Sequence, residues 1–136
     1  MRTTETDIPA EYEAELRRRI HEQISCEAQG DVVALYEFIL PTIRAERIAE
    51  GDDEPSLSLG EIQEFVGWVR SAVVESIEVE RFHSSVDRFS GSPAAIVVSR
   101  VRYNEATISE FRTIWVRDDG TWFSTALWKS ELAGDQ

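Results

Sequence analysis

The chain has 136 residues, 42% of them hydrophobic, enough to close one core over about two thirds of the surface its unfolded form would expose. Its 26 acidic side chains against 14 basic ones give a formal charge of -12, which repels a phosphate backbone over most of the surface and argues against nucleic acid as a partner. No run of about 18 apolar residues occurs, and the start, MRTTETDIPAEYEAEL, is acidic where a signal peptide needs a basic start and an apolar core, so the expectation is one soluble cytoplasmic domain, residues 1–136, without a membrane partner.

Asp7 or Thr6 can cap a first helix whose opening turn includes Pro9. Tyr12, Leu16, Ile20 and Ile24 then recur every four residues on one face. On the other faces Glu13 to Arg17 and Glu15 to Arg19 are i,i+4 pairs in the favourable order, so Arg17, Arg18 and Arg19 read as a solvated charge run. Cys26, the only cysteine, excludes an internal disulfide and a multi-cysteine metal site, and reads as a small buried thiol. Gly30 ends this helix and Asp31 caps the next, DVVALYEFIL, with Val32, Leu35, Tyr36, Ile39 and Ile43 at helical spacing. Pro41 predicts a kink or an end near Leu40, with a weak restart through IRAERIAE.

The stretch EGDDEPSLSLG, residues 50–60, reads as a surface loop; it lacks the alternating oxygen ligands and terminal Glu of a calcium loop. Ser58 caps a third helix, Glu61 completes a capping box, and Ile62, Phe65, Val66, Val69 and Val73 form its apolar stripe, with Trp68 beside it. From Ser76 the period becomes two: SIEVERFHSSV, PAAIVVSRVRY, TISEFRTIWVR and TWFSTALWKSEL predict four strands joined by short turns. Asp119-Gly120 signals a type I′ hairpin, so Asp118 and Asp119 serve a turn, Arg117 pairs with Trp122, and Trp115 pairs with Ser124. One face of that hairpin gathers Phe111, Trp115, Trp122 and Trp128, and the other gathers Ile114, Val116, Phe123 and Leu127. Both faces need cover. Three helices supply one side, and the outer face becomes the expected contact of a homodimer.

Three helices before an antiparallel sheet, with AQGDVVALYEFILP early and FRTIWVRDDGTWFSTALWKSEL at the end, make residues 10–132 resemble the nuclear transport factor two-like superfamily, and more narrowly its SnoaL-like branch. The resemblance implies an α+β cone in which three N-terminal helices pack in the concave face of a curved antiparallel sheet, leaving a pocket between the first helices and the strands. It also implies a wide choice of activities, because members include ketosteroid isomerases, polyketide cyclases, epoxide hydrolases, dehydratases and binding or scaffolding domains. Many relatives carry a short strand or hairpin with a Gly-rich turn where this chain has the acidic loop, so the rim of the pocket is expected to differ.

The isomerase pattern needs a proton-moving carboxylate and a tyrosine with a protonated acid. Here Glu78, Glu80, Glu110 and Glu131 are the acids on strands, with Asp87 at a turn, and no Asp falls within the central strands, so that dyad does not carry over. Arg100, Arg102 and Arg112 likewise lack the Asp pair of the epoxide hydrolases. His83 is the candidate catalytic residue, since a histidine titrates near neutrality and simple alternation puts it on the face of Ile77, Val79 and Arg81; a structural histidine is the competing reading. Arg112 could grip a ligand carboxylate or pair across the sheet, and Tyr12, Tyr36, Trp68, Trp115 and Trp128 could line an apolar pocket or simply pack. His21 and His83 lie on different elements, so no metal is expected, and no cofactor is implied. Three functions remain open: a domain binding a small, mostly apolar molecule, a SnoaL-like enzyme using acid–base chemistry, and an interaction scaffold whose pocket is filled by its own aromatics.

Overall fold

The structure, a computed structural model, describes residues 3–41, 64 and 66–125. Helix α1 (Ala10–Gln29) begins at Pro9, whose backbone is already extended at ψ 140, and no side chain caps it. Thr6 is instead the last residue of a strand, β1 (Thr3–Thr6), so the expected side-chain cap is replaced by an acidic first turn, Glu11 and Glu13, which favours the positive end of the helix dipole. Gly30, at φ 75, closes α1 in a left-handed conformation that glycine adopts without strain. Asp31 then accepts the Ala34 N–H at 3.1 Å and opens helix α2 (Val32–Glu37), as its position predicts.

Helix α2 stops earlier than expected. Leu40 precedes Pro41, whose ring disfavours helical backbone at that residue. The chain extends and runs parallel to the end of the sheet: Ser124 donates its N–H to the Phe38 carbonyl and accepts from Leu40, each at 2.8 Å. Ile43 and the start of the expected third helix, with Ser58, Glu61, Ile62 and Phe65, lie outside the described residues. Residues 66–68 are helical, and Val66 and Val69 are buried. Val73 is not on a helix, because strand β2 (Ala72–Val86) starts four residues before the predicted Ser76.

Strands β3 (Ser92–Tyr103), β4 (Thr107–Asp118) and β5 (Thr121–Ser124) complete one antiparallel sheet in the order β1-β2-β3-β4-β5. The predicted hairpin register holds: Asp119 and Gly120 both have positive φ, 51 and 79, and Arg117 faces Trp122 while Trp115 faces Ser124. Among the described residues the protein is therefore α+β, with α1 against one face of an antiparallel sheet. No described helix is long and apolar enough to cross a membrane.

Each face of the sheet carries a buried cluster, the larger of them under α1. Leu16, Ile20 and Ile24 of α1, together with Phe38, pack on Ile77, Phe82, Ala95, Val97, Val101, Tyr103, Trp115 and Trp122. On the opposite face Val86, Ala94, Ile96, Ile114 and Val116 share a cluster with Leu35, Ile39, Leu40 and Val66. Ile114 and Val116, expected to need a second subunit, are thus covered within the chain. The remainder of that face is open: Val73 is 58% exposed and Ile108 42%, both opposite Arg102 in register. Around them Arg102 pairs with Glu75, and Arg100 with Glu75 and Glu110.

Candidate functional site

The apolar stripe of α1 does not end at Ile24. Three residues on, the same face presents Glu27 to the sheet, and the residue is only 9% exposed. Opposite it stands Tyr103, the last residue of β3, which shares a face with Ala95, Val97 and Val101 and is wholly buried. The Tyr103 hydroxyl donates to Glu27 Oε1 at 2.6 Å. Burial disfavours the charged carboxylate and pushes Glu27 up to about 7, only partly offset by that hydrogen bond. Burial and the adjacent acid push Tyr103 well above the usual phenol range, so the phenol keeps its proton. The pair can take or give one proton close to neutral pH while the tyrosine remains a donor.

Aromatic side chains flank it. The Trp68 ring lies 5.9 Å from that of Tyr103 at an interplanar angle of 52°, and Phe111 meets Tyr103 edge-on at 6.3 Å and 82°. Ala72, Val74 and Phe111 are half-buried, and Trp68 is 44% exposed, so apolar surface reaches solvent beside a buried acid. Trp68 is positioned from the β3–β4 turn. Asn104 Nδ2 donates to the Trp68 carbonyl at 3.0 Å, and Asn104 Oδ1 accepts the Arg70 N–H at 2.6 Å. Cys26, next to Glu27, is half-buried; burial raises its thiol, which disfavours a reactive thiolate.

The other end of the same helix face is built differently. Glu15 accepts from Arg117 Nε at 2.9 Å, the Arg117 guanidinium lies 4.2 Å above the Tyr12 ring, and Tyr12 meets Phe82 and Trp122 edge-on. The Arg117 hydrogen bond holds Glu15 below the usual carboxylate range, and Glu15 in turn raises Arg117. Nor are the three consecutive arginines a solvated run. Arg18 is exposed, but Arg17 donates to the Ile77 carbonyl at 2.8 Å, and Arg19 donates to the Trp122 carbonyl at 2.9 Å while covering the Phe38 ring at 3.8 Å. The expected Glu15 to Arg19 pair is replaced on both sides, because Arg117 reaches Glu15 and Glu22 lies 3.8 Å from Arg19.

The sequence candidates are accordingly dispersed. Tyr12 belongs to the Glu15 end, Trp115 is core between the two ends, and Trp68 alone joins the Glu27–Tyr103 pair. His83 is buried on the opposite face. Bulges in β2, one of them between Val79 and Arg81, break simple alternation and separate Arg81 and His83 from Ile77 and Val79. His83 pairs with Ala94, nine residues before Tyr103, or about 30 Å along the strand. Arg112 lies on that opposite face too, where its Nε donates to Glu80 at 2.8 Å. The side chain of Tyr36 and all of Trp128 lie outside the described residues. Among the described residues no group of three or more His, Cys, Asp or Glu is placed to hold a metal. Glu27 and Tyr103 were legible in principle, since each extends an apolar period by one step. No family model matches the chain, and no curated protein or solved structure does.

Proposed function

We propose that this chain is a cone-shaped domain of the nuclear transport factor two-like superfamily, SnoaL-like branch, that binds a small, mostly apolar molecule at the Glu27–Tyr103 end of its concave face. The observation carrying this reading is a buried carboxyl group bonded to a buried phenol, beside partly exposed Trp68 and Phe111. A buried ionisable group costs stability that a well-packed apolar residue would not, so its position calls for a function. Apolar walls with a few converging polar groups are the ordinary make-up of a small-molecule site.

Ligand-observed NMR with a library of small apolar molecules tests the reading. Hits that survive in wild type and vanish in Trp68→Ala and Tyr103→Phe, with cooperative melting retained, support it. A library without hits leaves an interaction domain as the better account. Because the Glu27 carboxyl titrates near neutrality, a second reading is proton transfer on the bound molecule, which deuterium exchange at C–H bonds of a bound ligand would reveal. The exposed row Val73, Arg102 and Ile108 supports self-association through the outer sheet face. Sedimentation showing a monomer at micromolar concentration would remove that part.

A further inference from the structure

Elsewhere on the face of the sheet that α1 covers, acids and aromatic rings occur together with an arginine. Arg117 bridges Glu15 and the Tyr12 ring; Arg19 lies near Glu22 and covers Phe38. At the far end of α1 the acid and the rings are present in Glu27, Tyr103, Trp68 and Phe111, but among the described residues no Lys, Arg or His side chain pairs with Glu27. Tyr103 occupies Oε1, and no described donor meets the other carboxylate oxygen.

We infer that the molecule received beside Glu27 is an organic cation, an amine or ammonium on an apolar body, whose charge sits against the Glu27 carboxylate and the Trp68 ring. The inference rests on the pocket proposed above and names its ligand class. A cation supplies Glu27 with what Arg117 supplies to Glu15, the opposite charge that makes a poorly hydrated carboxylate favourable. Aromatic faces carry negative electrostatic potential and add to the attraction. The net charge of -12 enriches cations around the whole molecule and disfavours anionic ligands. An N–H donor on the ligand has the second carboxylate oxygen to bond.

Such binding requires Glu27 ionised. Tyr103 on β3 is the titratable group acting on it across the interface, and it stays protonated; on α1 the neighbouring titratable group is the Cys26 thiol, itself raised. A ligand that needs ionised Glu27 therefore has an apparent affinity scaled by the ionised fraction.

Calorimetric titration of the full chain with 2-phenylethylamine, 2-phenylethanol and 3-phenylpropanoate decides the matter. The amine is expected to bind at least tenfold more tightly than the alcohol, and the carboxylate more weakly still. With Glu27 at about 7, affinity for the amine should rise about thirtyfold from pH 5.5 to 8, and Glu27→Gln should flatten that dependence. Equal affinities for amine and alcohol, or a pH-independent amine affinity in wild type, would overturn the cation while leaving the pocket in place. If none of the three binds wild type, the cation inference fails here, and the pocket itself is judged by the separate library screen.

Discussion

Glu15 and Glu27 lie on one helix, three turns apart, and both approach the same sheet, yet they behave oppositely. Glu15 meets a guanidinium and titrates below its usual range; Glu27 meets a phenol in an apolar setting and titrates above it. The difference lies in the partner and in hydration. An acid whose charge is matched by Arg117 can clasp α1 to the β4–β5 hairpin, whereas an acid given only a hydroxyl weakens the fold whenever it ionises. The first arrangement supports the fold while its acid is ionised, and the second while its acid keeps its proton.

The comparison can be broken most severely at Trp122, whose buried ring lies under Tyr12 at the Glu15 end. Trp122→Ala should cost about 3–5 kcal/mol in denaturant unfolding, and a smaller loss would mean the clasp is not core. Next in size is the pH response of Glu27. Its folded pKa of about 7 exceeds the ordinary carboxyl value of 4.5, so the folded state binds the proton more tightly, and stability falls as pH rises through that window. The loss should reach about 3 kcal/mol at pH 8, and Glu27→Gln should abolish it, as urea midpoints across pH would show. Glu15, being lowered, contributes in the opposite sense: its stabilisation is present above 4.5 and is lost as pH falls below it.

Tyr103→Phe comes third. Removing the hydroxyl should cost about 1–2 kcal/mol at pH 8 and move the Glu27 titration above 7, which carboxyl NMR reads directly. The smallest effect is expected from Arg117→Met, a mild destabilisation that shrinks in high salt, because the pair it removes is partly solvent-exposed.

What was legible in the sequence follows the strength of the local constraint. Asp119-Gly120 fixes a turn whose backbone few other residues adopt, and register then follows by counting, which is why the sequence pairs Trp115 with Ser124 as the sheet does. Gly30 and Asp31 marked a helix end and a helix start for equally local reasons. His83 was misplaced because the bulges of β2 leave no sign in the residue pattern. The end of α2 was misjudged because the strand that captures residues 38–40 comes more than eighty positions later. Arg17 and Arg19 resembled solvated charges because helical spacing says nothing about carbonyls and rings arriving from the sheet. Glu27 escapes an apolar-periodicity reading for a plainer reason: it continues the stripe of Leu16, Ile20 and Ile24 with a charged residue type.

The short parallel run of residues 38–40 beside Ser124 has a bearing on aggregation. A sheet margin with open backbone groups is a template on which another chain can add a strand. At Ser124 both the N–H and the carbonyl already have partners from the chain's own backbone, Phe38 and Leu40. Fibre-like growth through that position would first have to peel this segment away.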